Sequence, residues 1–174
     1  AQLGFAFDEL IAQDLFLAGW QPNDSRVLIE SFEKGIVVRC KEKGVGSHHV
    51  YIMDYGHTAY DEIVWAQSEG VPSISNPEEL SDAGLDIFAE RINGLALAWS
   101  LLMGREATLD VERGRRLVAS AKERGLSVWV WSMRIENFFL PKEFRNGGAP
   151  NEPGNWEEFF ELLWSLGIDG VFAD

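Results

Sequence analysis

The chain has 174 residues, 46% hydrophobic and 12% aromatic, with 17 glycines, which is enough apolar material to bury a core and excludes a disordered or fibrous polypeptide. Its 28 acidic against 15 basic side chains leave a formal charge of −13, a sign that repels phosphate backbones and anionic lipid and argues against a general nucleic-acid or membrane-surface binder. No apolar run approaches the ~20 residues of a membrane span, and no basic-then-apolar signal segment opens the chain.

Phe7, Leu10, Ile11, Leu15, Phe16 and Ala18 recur at helical spacing and stop at Gly19, which predicts an amphipathic helix with a glycine cap. The apolar run 26–31 predicts a first strand, and the mixed segment 32–43 a helix ending before Gly44 and Gly46. The only cysteine, Cys40, falls inside that helix; alone it can form neither an internal disulfide nor a multi-cysteine metal site, and it reads as a small core residue. Residues 49–53 predict a second strand and 58–69 a helix. Asn76-Pro77-Glu78-Glu79 is a helix start, with Asn76 suited to the N-cap, Pro77 to the first helical position and Glu79 to closing a capping box. Leu80, Leu85 and Phe88 follow on one face.

Residues 94–99 predict a third strand, 111–124 a helix with Leu117, Val118 and Ala121 inward and Gly125 as its stop, and 127–132 a fourth strand. The stretch 136–154 holds three prolines and three glycines and reads as a loop insertion between a strand and its helix. Asn155, with Glu158 three residues on, opens a last helix that Gly167 ends, and 168–173 predict a fifth strand. Near-continuous apolar runs alternating with helices are the mark of a parallel sheet covered on both faces, so the fold class is α/β, in a single domain spanning 1–174. Periodicity allows an open doubly wound sheet or a slice of a closed barrel.

In parallel α/β folds ligands gather at the C-terminal ends of the strands. Glu30 and Ser31, Asp54 and His57, Ser100, Trp131 to Asn137, and Asp174 occupy those positions. Trp129 and Trp131 share one face of the fourth strand. Beside them Arg134 is suited to a bidentate grip on phosphate, with a nearby carboxylate holding the guanidinium in place, or to a structural salt bridge. His48 and His49 stand at the start of the second strand, at the stability face, and read as surface or packing residues. No zinc spacing, nucleophile elbow or phosphate-binding glycine loop is present.

The stretch Val128 to Asn137, followed by Phe139-Leu140-Pro141 and Phe144-Arg145, resembles the late barrel strand of glycerophosphodiester phosphodiesterases, where a Trp-Thr-x-Arg-x-Glu-Asn-like run stands. Gly167 to Asp174 is similar to their closing strand, and Val27 to Glu33 to their middle-strand Gln-Ser-Phe motif. The resemblance implies a partial TIM-type (β/α) barrel of about five parallel strands, against the eight strands and about 250 residues of a whole one. The family's first-strand His-Arg-Gly, its second-strand Glu and Asp pair with a following histidine, and its third-strand Glu are not found. The chain is therefore expected to be a C-terminal fragment that holds neither the catalytic histidines nor the metal carboxylates, with open edges prone to self-association.

For the complete enzyme the resemblance implies hydrolysis of a small-molecule glycerophosphodiester to glycerol 3-phosphate and an alcohol, with a divalent cation, calcium or magnesium, as cofactor. It gives Trp131 the role of an apolar wall for glycerol, puts Glu30 and Ser31 on the pocket floor, and sets Arg134 and Asn137 at the rim. The Phe-Leu-Pro insertion is shared with longer, often exported bacterial members, which favours a periplasmic or extracellular location. Two positions depart from the family: Glu30 stands where Gln is usual, and 95–102 lacks the Gly-Pro-Asn-Lys character of related members. Competing readings are a non-catalytic binding module of the same ancestry and a phospholipase D-like barrel enzyme.

Overall fold

The computed structural model of the chain describes residues 5–104 and 108–173. Its strands, β1 (Leu28–Ser31), β2 (His48–Met53), β3 (Gly94–Ala98), β4 (Ser127–Met133) and β5 (Gly170–Ala173), fall on the five apolar runs. The helices are α1 (Phe7–Leu17), α2 (Lys34–Glu42), α3 (Tyr60–Glu69), α4 (Asn76–Glu79), α5 (Asp82–Arg91), α6 (Trp99–Met103), α7 (Val111–Glu123) and α8 (Trp156–Ser165). Asp174, expected just past the fifth strand, lies outside the described residues.

The strands are parallel and follow the order β1-β2-β3-β4-β5. Leu28 stands opposite His48 and Ser31 opposite Tyr51, and Trp129 stands opposite Gly170. A doubly wound sheet reverses its strand order at a switch point. Here each strand pairs with its successor, as consecutive strands of a (β/α) barrel do, so the fold is α/β of partial-barrel type. The chain divides into two compact units between Leu95 and Ala96. No linker marks that division in the sequence, because it runs through β3.

In the first unit, α2 buries Val37 and Cys40 completely and packs on β1 and β2, which gives Cys40 the core position expected of it. Val50, Tyr51 and Met53 of β2 are equally buried, and the Tyr51 and Phe88 rings meet at 5.7 Å. His49 is buried as a packing residue, its ring nitrogens 2.9 Å from Asn93 Oδ1 and 2.8 Å from the Val45 carbonyl. The α1 helix forms where its spacing predicted, with Gly19 at φ 85°, but its apolar stripe is not its buried face. Phe7, Leu10, Phe16 and Leu17 are exposed, while Asp8 is 4% exposed and paired with Lys43 at 2.6 Å and Arg39 at 3.3 Å. Periodicity reveals a stripe and is silent on what covers it.

The helix start at residues 75–79 is shifted by one from its expected frame. Ser75 is the N-cap, Pro77 sits one place further in, and Glu78 closes the capping box by accepting from the Ser75 backbone N–H at 2.9 Å. Asn76 is instead drawn inward, where its amide donates to the Asp54 carbonyl and accepts from the Tyr51 hydroxyl, both at 3.1 Å. The helix also breaks, and Ser81 caps α5 separately by accepting from the Gly84 N–H at 3.3 Å. Leu85 and Phe88 then turn inward as predicted.

In the second unit, Trp99 and Ser100 do not extend β3 but start α6, and Ser100 is buried. Gly114 lets α7 approach α6 closely, since a Cβ there would stand 3.0 Å from Met103 Cγ. Val118 and Ala121 of α7, Val128 and Val130 of β4, and Phe159 and Leu163 of α8 form the core, where each large aliphatic or aromatic side chain contributes about 1.5–3 kcal/mol. Asn155 stands at the N-cap of α8 without capping it through its side chain; its backbone N–H donates to the Phe144 carbonyl at 2.9 Å, so the preceding loop fixes that entry. On the other face of β4, the Trp129 ring meets Phe172 at 5.4 Å, tilted by 30°, and lies against Gly170. A Cβ on Gly170 would come within 2.4 Å of the indole, which is rigid and cannot fold away. Gly170→Ala is expected to lower the urea midpoint of unfolding by the equivalent of about 1–3 kcal/mol.

Candidate functional site

The sequence candidates lie toward the C-terminal ends of β1 and β4 and fall in separate units: Glu30 and Ser31 in the first, Trp131, Arg134 and Asn137 in the second. Glu30 is exposed, and partial desolvation raises its carboxyl above the ordinary value. The Ser31 hydroxyl accepts from the Glu33 N–H at 3.0 Å and so shapes the turn into α2. At the end of β2, Asp54 accepts from the Tyr55 N–H at 2.7 Å and lies 3.8 Å from the exposed His57 ring.

Beside Glu30 and Ser31 stands a charged network that no local motif announces. A helix N-terminus carries unpaired N–H groups and a partial positive charge, so a carboxylate is favoured there. The Glu33 carboxylate accepts from the Asp61 N–H at 2.7 Å, at the start of α3. The Asp61 carboxylate in turn accepts from the Gly35 N–H, at the start of α2. Each helix thus caps the other. Gly35 is required for this, because a Cβ there would stand 2.6 Å from Asp61 Oδ2.

Lys34 ties the same corner to α4. Its Nζ is 3.1 Å from Glu62 Oε2 and closer still to Glu79 Oε1. Burial is the largest influence on both ends of the second contact: it lowers Lys34, which Glu79 and Glu62 nonetheless carry above its ordinary value, and it raises Glu79 despite the lysine. Asp61 Oδ1 and Glu62 Oε1 are buried without a hydrogen-bond partner. Sequence reasoning missed this network because Lys34 meets Glu62 and Glu79 across 28 and 45 residues.

In the second unit, Trp131 is half-buried on the Trp129 face of β4. The Arg134 fork is bidentate on Glu136, Nη2 to Oε1 at 2.7 Å and Nε to Oε2 at 3.3 Å, and the guanidinium lies 4.5 Å over the Phe139 ring. The carboxylate pairing that both readings of Arg134 include is thus formed by Glu136. The Arg134 hydrogen bond holds the Glu136 carboxyl below the ordinary carboxylate value. Asn137 is 3% exposed, so it is not an open rim residue. Its Nδ2 donates to Asn146 Oδ1 at 3.0 Å and to the Ala149 carbonyl at 3.2 Å, and its Oδ1 accepts from the Asn146 N–H at 3.1 Å. These bonds fold the 136–154 insertion around one amide, with Glu136 bridged to Pro153 and Phe144 packed on Phe159 at 5.1 Å.

Among the described residues no group of three or more His, Cys, Asp or Glu side chains is arranged to hold a metal ion. Among the described residues no helix is long and apolar enough to cross a membrane. A shallow cleft between Leu15, Phe16 and Trp20 on one side and Gly44 to Gly46 on the other lies at the start of β2, away from the strand ends where chemistry is expected. No protein-family model and no curated protein sequence matches the chain.

Asn137→Ala removes three hydrogen bonds from a buried hub and is expected to cost about 2–3 kcal/mol while exposing 136–154 to proteolysis; limited digestion with mass spectrometry reads the cleavage sites. The Arg134–Glu136 pair gives a pH signature. Because the folded carboxyl is depressed, its contribution is complete above the ordinary value of 4.5 and is lost as pH falls through the lower folded value. Acid unfolding of Glu136→Gln should therefore show a shallower loss of stability below pH 4.5 than the parent chain.

Proposed function

We propose that the chain is the C-terminal part of a glycerophosphodiester phosphodiesterase whose complete form hydrolyses a glycerophosphodiester to glycerol 3-phosphate and an alcohol. One observation carries the reading. The three stretches that resemble the family occupy β1, β4 and β5 in the family's order, in a sheet with a barrel's strand order. Among the described residues no group of three or more His, Cys, Asp or Glu side chains is set to hold a cation by itself, and in this reading the calcium or magnesium is held by the carboxylate-bearing strands that the resemblance implies for the complete enzyme.

The residues present have supporting tasks. In the second unit Trp131 offers an aromatic surface suited to the carbon face of glycerol; in the first, Glu30 and Ser31 carry oxygens suited to accepting from hydroxyls. Arg134, held by Glu136 and Phe139, gives a fixed positive charge near the end of β4, and Asn137 acts through the loop it organises. A second reading, a binding module of the same ancestry, draws support from the Arg134 fork already committed to Glu136.

The test is to join the coding sequence upstream of Ala1 to this chain and measure glycerol 3-phosphate release from glycerophosphocholine with and without calcium or magnesium. The expected result is cation-dependent release, with kcat/KM reduced at least about tenfold by Trp131→Ala. Absence of release from a folded protein that still binds glycerophosphocholine would replace the enzyme reading with the binding module.

A further inference from the structure

The hydrogen bonds around Glu79 do not balance if its carboxyl is ionised. Tyr51 has one hydroxyl proton and faces two acceptors, Asn76 Oδ1 at 3.1 Å and Glu79 Oε2 at 3.5 Å. The Asn76 orientation is fixed by its amide, which donates to the Asp54 carbonyl at 3.1 Å. With the Tyr51 proton on Asn76, the nearer of the two acceptors, an ionised Glu79 Oε2 would face the lone pairs of the phenol oxygen. A protonated Glu79 removes the conflict. Oε1 accepts from Lys34, the Oε2 hydroxyl donates to Tyr51, Tyr51 donates to Asn76, and Asn76 donates to Asp54.

The surrounding charges point the same way. Glu79 is 8% exposed. From α2 it meets Lys34, which Glu62 of α3 shares, and from β2 the Tyr51 phenol, whose charge environment also includes Asp61 of α3 and Glu33 of the β1–α2 turn. On the α5 side its backbone packs against Gly84, which has no side chain. One ammonium thus serves two carboxylates, Glu62 and Glu79, the Arg39 guanidinium stands instead beside Gly35 and Asp61, and Glu62 Oε1 is buried with no partner. Like charges crowded out of water cannot all ionise, and the group with an acceptor waiting takes the proton.

We propose that Glu79 is carried as a neutral carboxylic acid and that the chain Lys34–Glu79–Tyr51–Asn76 is a pH-sensitive latch fastening α4 to β2. The latch takes its proton from water and returns it to water. Burial first, and then Glu62, raise Glu79, while burial together with Glu79, Asp61 and Glu33 holds the Tyr51 phenol protonated. A carboxyl raised in the fold binds more protons there than in the unfolded chain. Its stabilisation is present at pH below the raised value and is lost as pH climbs through it, above 4.5.

Glutamine imitates the neutral acid, with an oxygen for Lys34 and an N–H for Tyr51, so Glu79→Gln separates the latch from an ordinary ion pair. In the full chain, hydrogen exchange of α4 amides, corrected for intrinsic rates, should lose several-fold protection as pH rises from 5 to 8 in the parent protein and stay level in Glu79→Gln. At pH 8 the variant should unfold at the same urea concentration as the parent or a higher one. Infrared spectroscopy should show a protonated-carboxyl band in the parent that Glu79→Gln lacks, and Tyr51→Phe should move the band's titration to lower pH. A Glu79→Gln variant less stable than the parent across the whole range, or no protonated-carboxyl band above pH 4.5, would overturn the latch in favour of an ionised pair.

Discussion

Parallel strands can be joined only by crossovers, and every crossover delivers the N-terminus of a helix, with its unpaired N–H groups, to the C-terminal end of a strand. Those groups must be satisfied before that end of the sheet can be built. In the first unit the answer is an exchange: Glu33 serves α3 and Asp61 serves α2. The rest of the corner follows from it. Gly35 is glycine because the Asp61 carboxylate passes where a Cβ would stand, and Lys34 is placed to gather Glu62 and Glu79 because its neighbour is pinned.

The second unit meets the same requirement by other means. α7 caps itself locally, with Asp110 accepting from the Arg113 N–H at 2.8 Å, and α8 takes its start from the folded insertion through the Phe144 carbonyl. The insertion rests on the buried amide of Asn137, and Gly154 is glycine because a Cβ there would meet Asn137 Oδ1 at 2.6 Å. Two stretches that look alike in sequence, a polar segment ahead of an apolar helix, are thus held by different physics.

What the sequence made legible was local. The five apolar runs located the strands, and the glycines after α1, α3, α7 and α8 take the left-handed conformation that ends a helix, with φ of 85°, 67°, 78° and 88°. Cys40 and the two β4 tryptophans stand where alternation put them. Long-range demand was not legible. Asn76 looked like a cap because caps are a local preference, and the tertiary call of Tyr51 and the Asp54 carbonyl outweighed it. The partner of Arg134 was legible because Glu136 lies two residues on, whereas Asn137 looked like a rim residue because burial has no spacing signature. The site residues drawn from the family resemblance stand at strand ends as the topology requires, while Lys34, Glu62 and Glu79 had no motif to announce them.

The exchange of caps between α2 and α3 also bears on how such a chain can change. A strand and its following helix are often treated as the interchangeable module of barrel evolution. Here the β1–α2 module keeps its partner's cap and the β2–α3 module keeps the other, so neither is complete when moved alone. A recombination crossover between them would leave two helix starts bare at once, whereas one that carries 28–69 as a block transfers the pair intact. In this unit the smallest heritable piece is two strands and two helices.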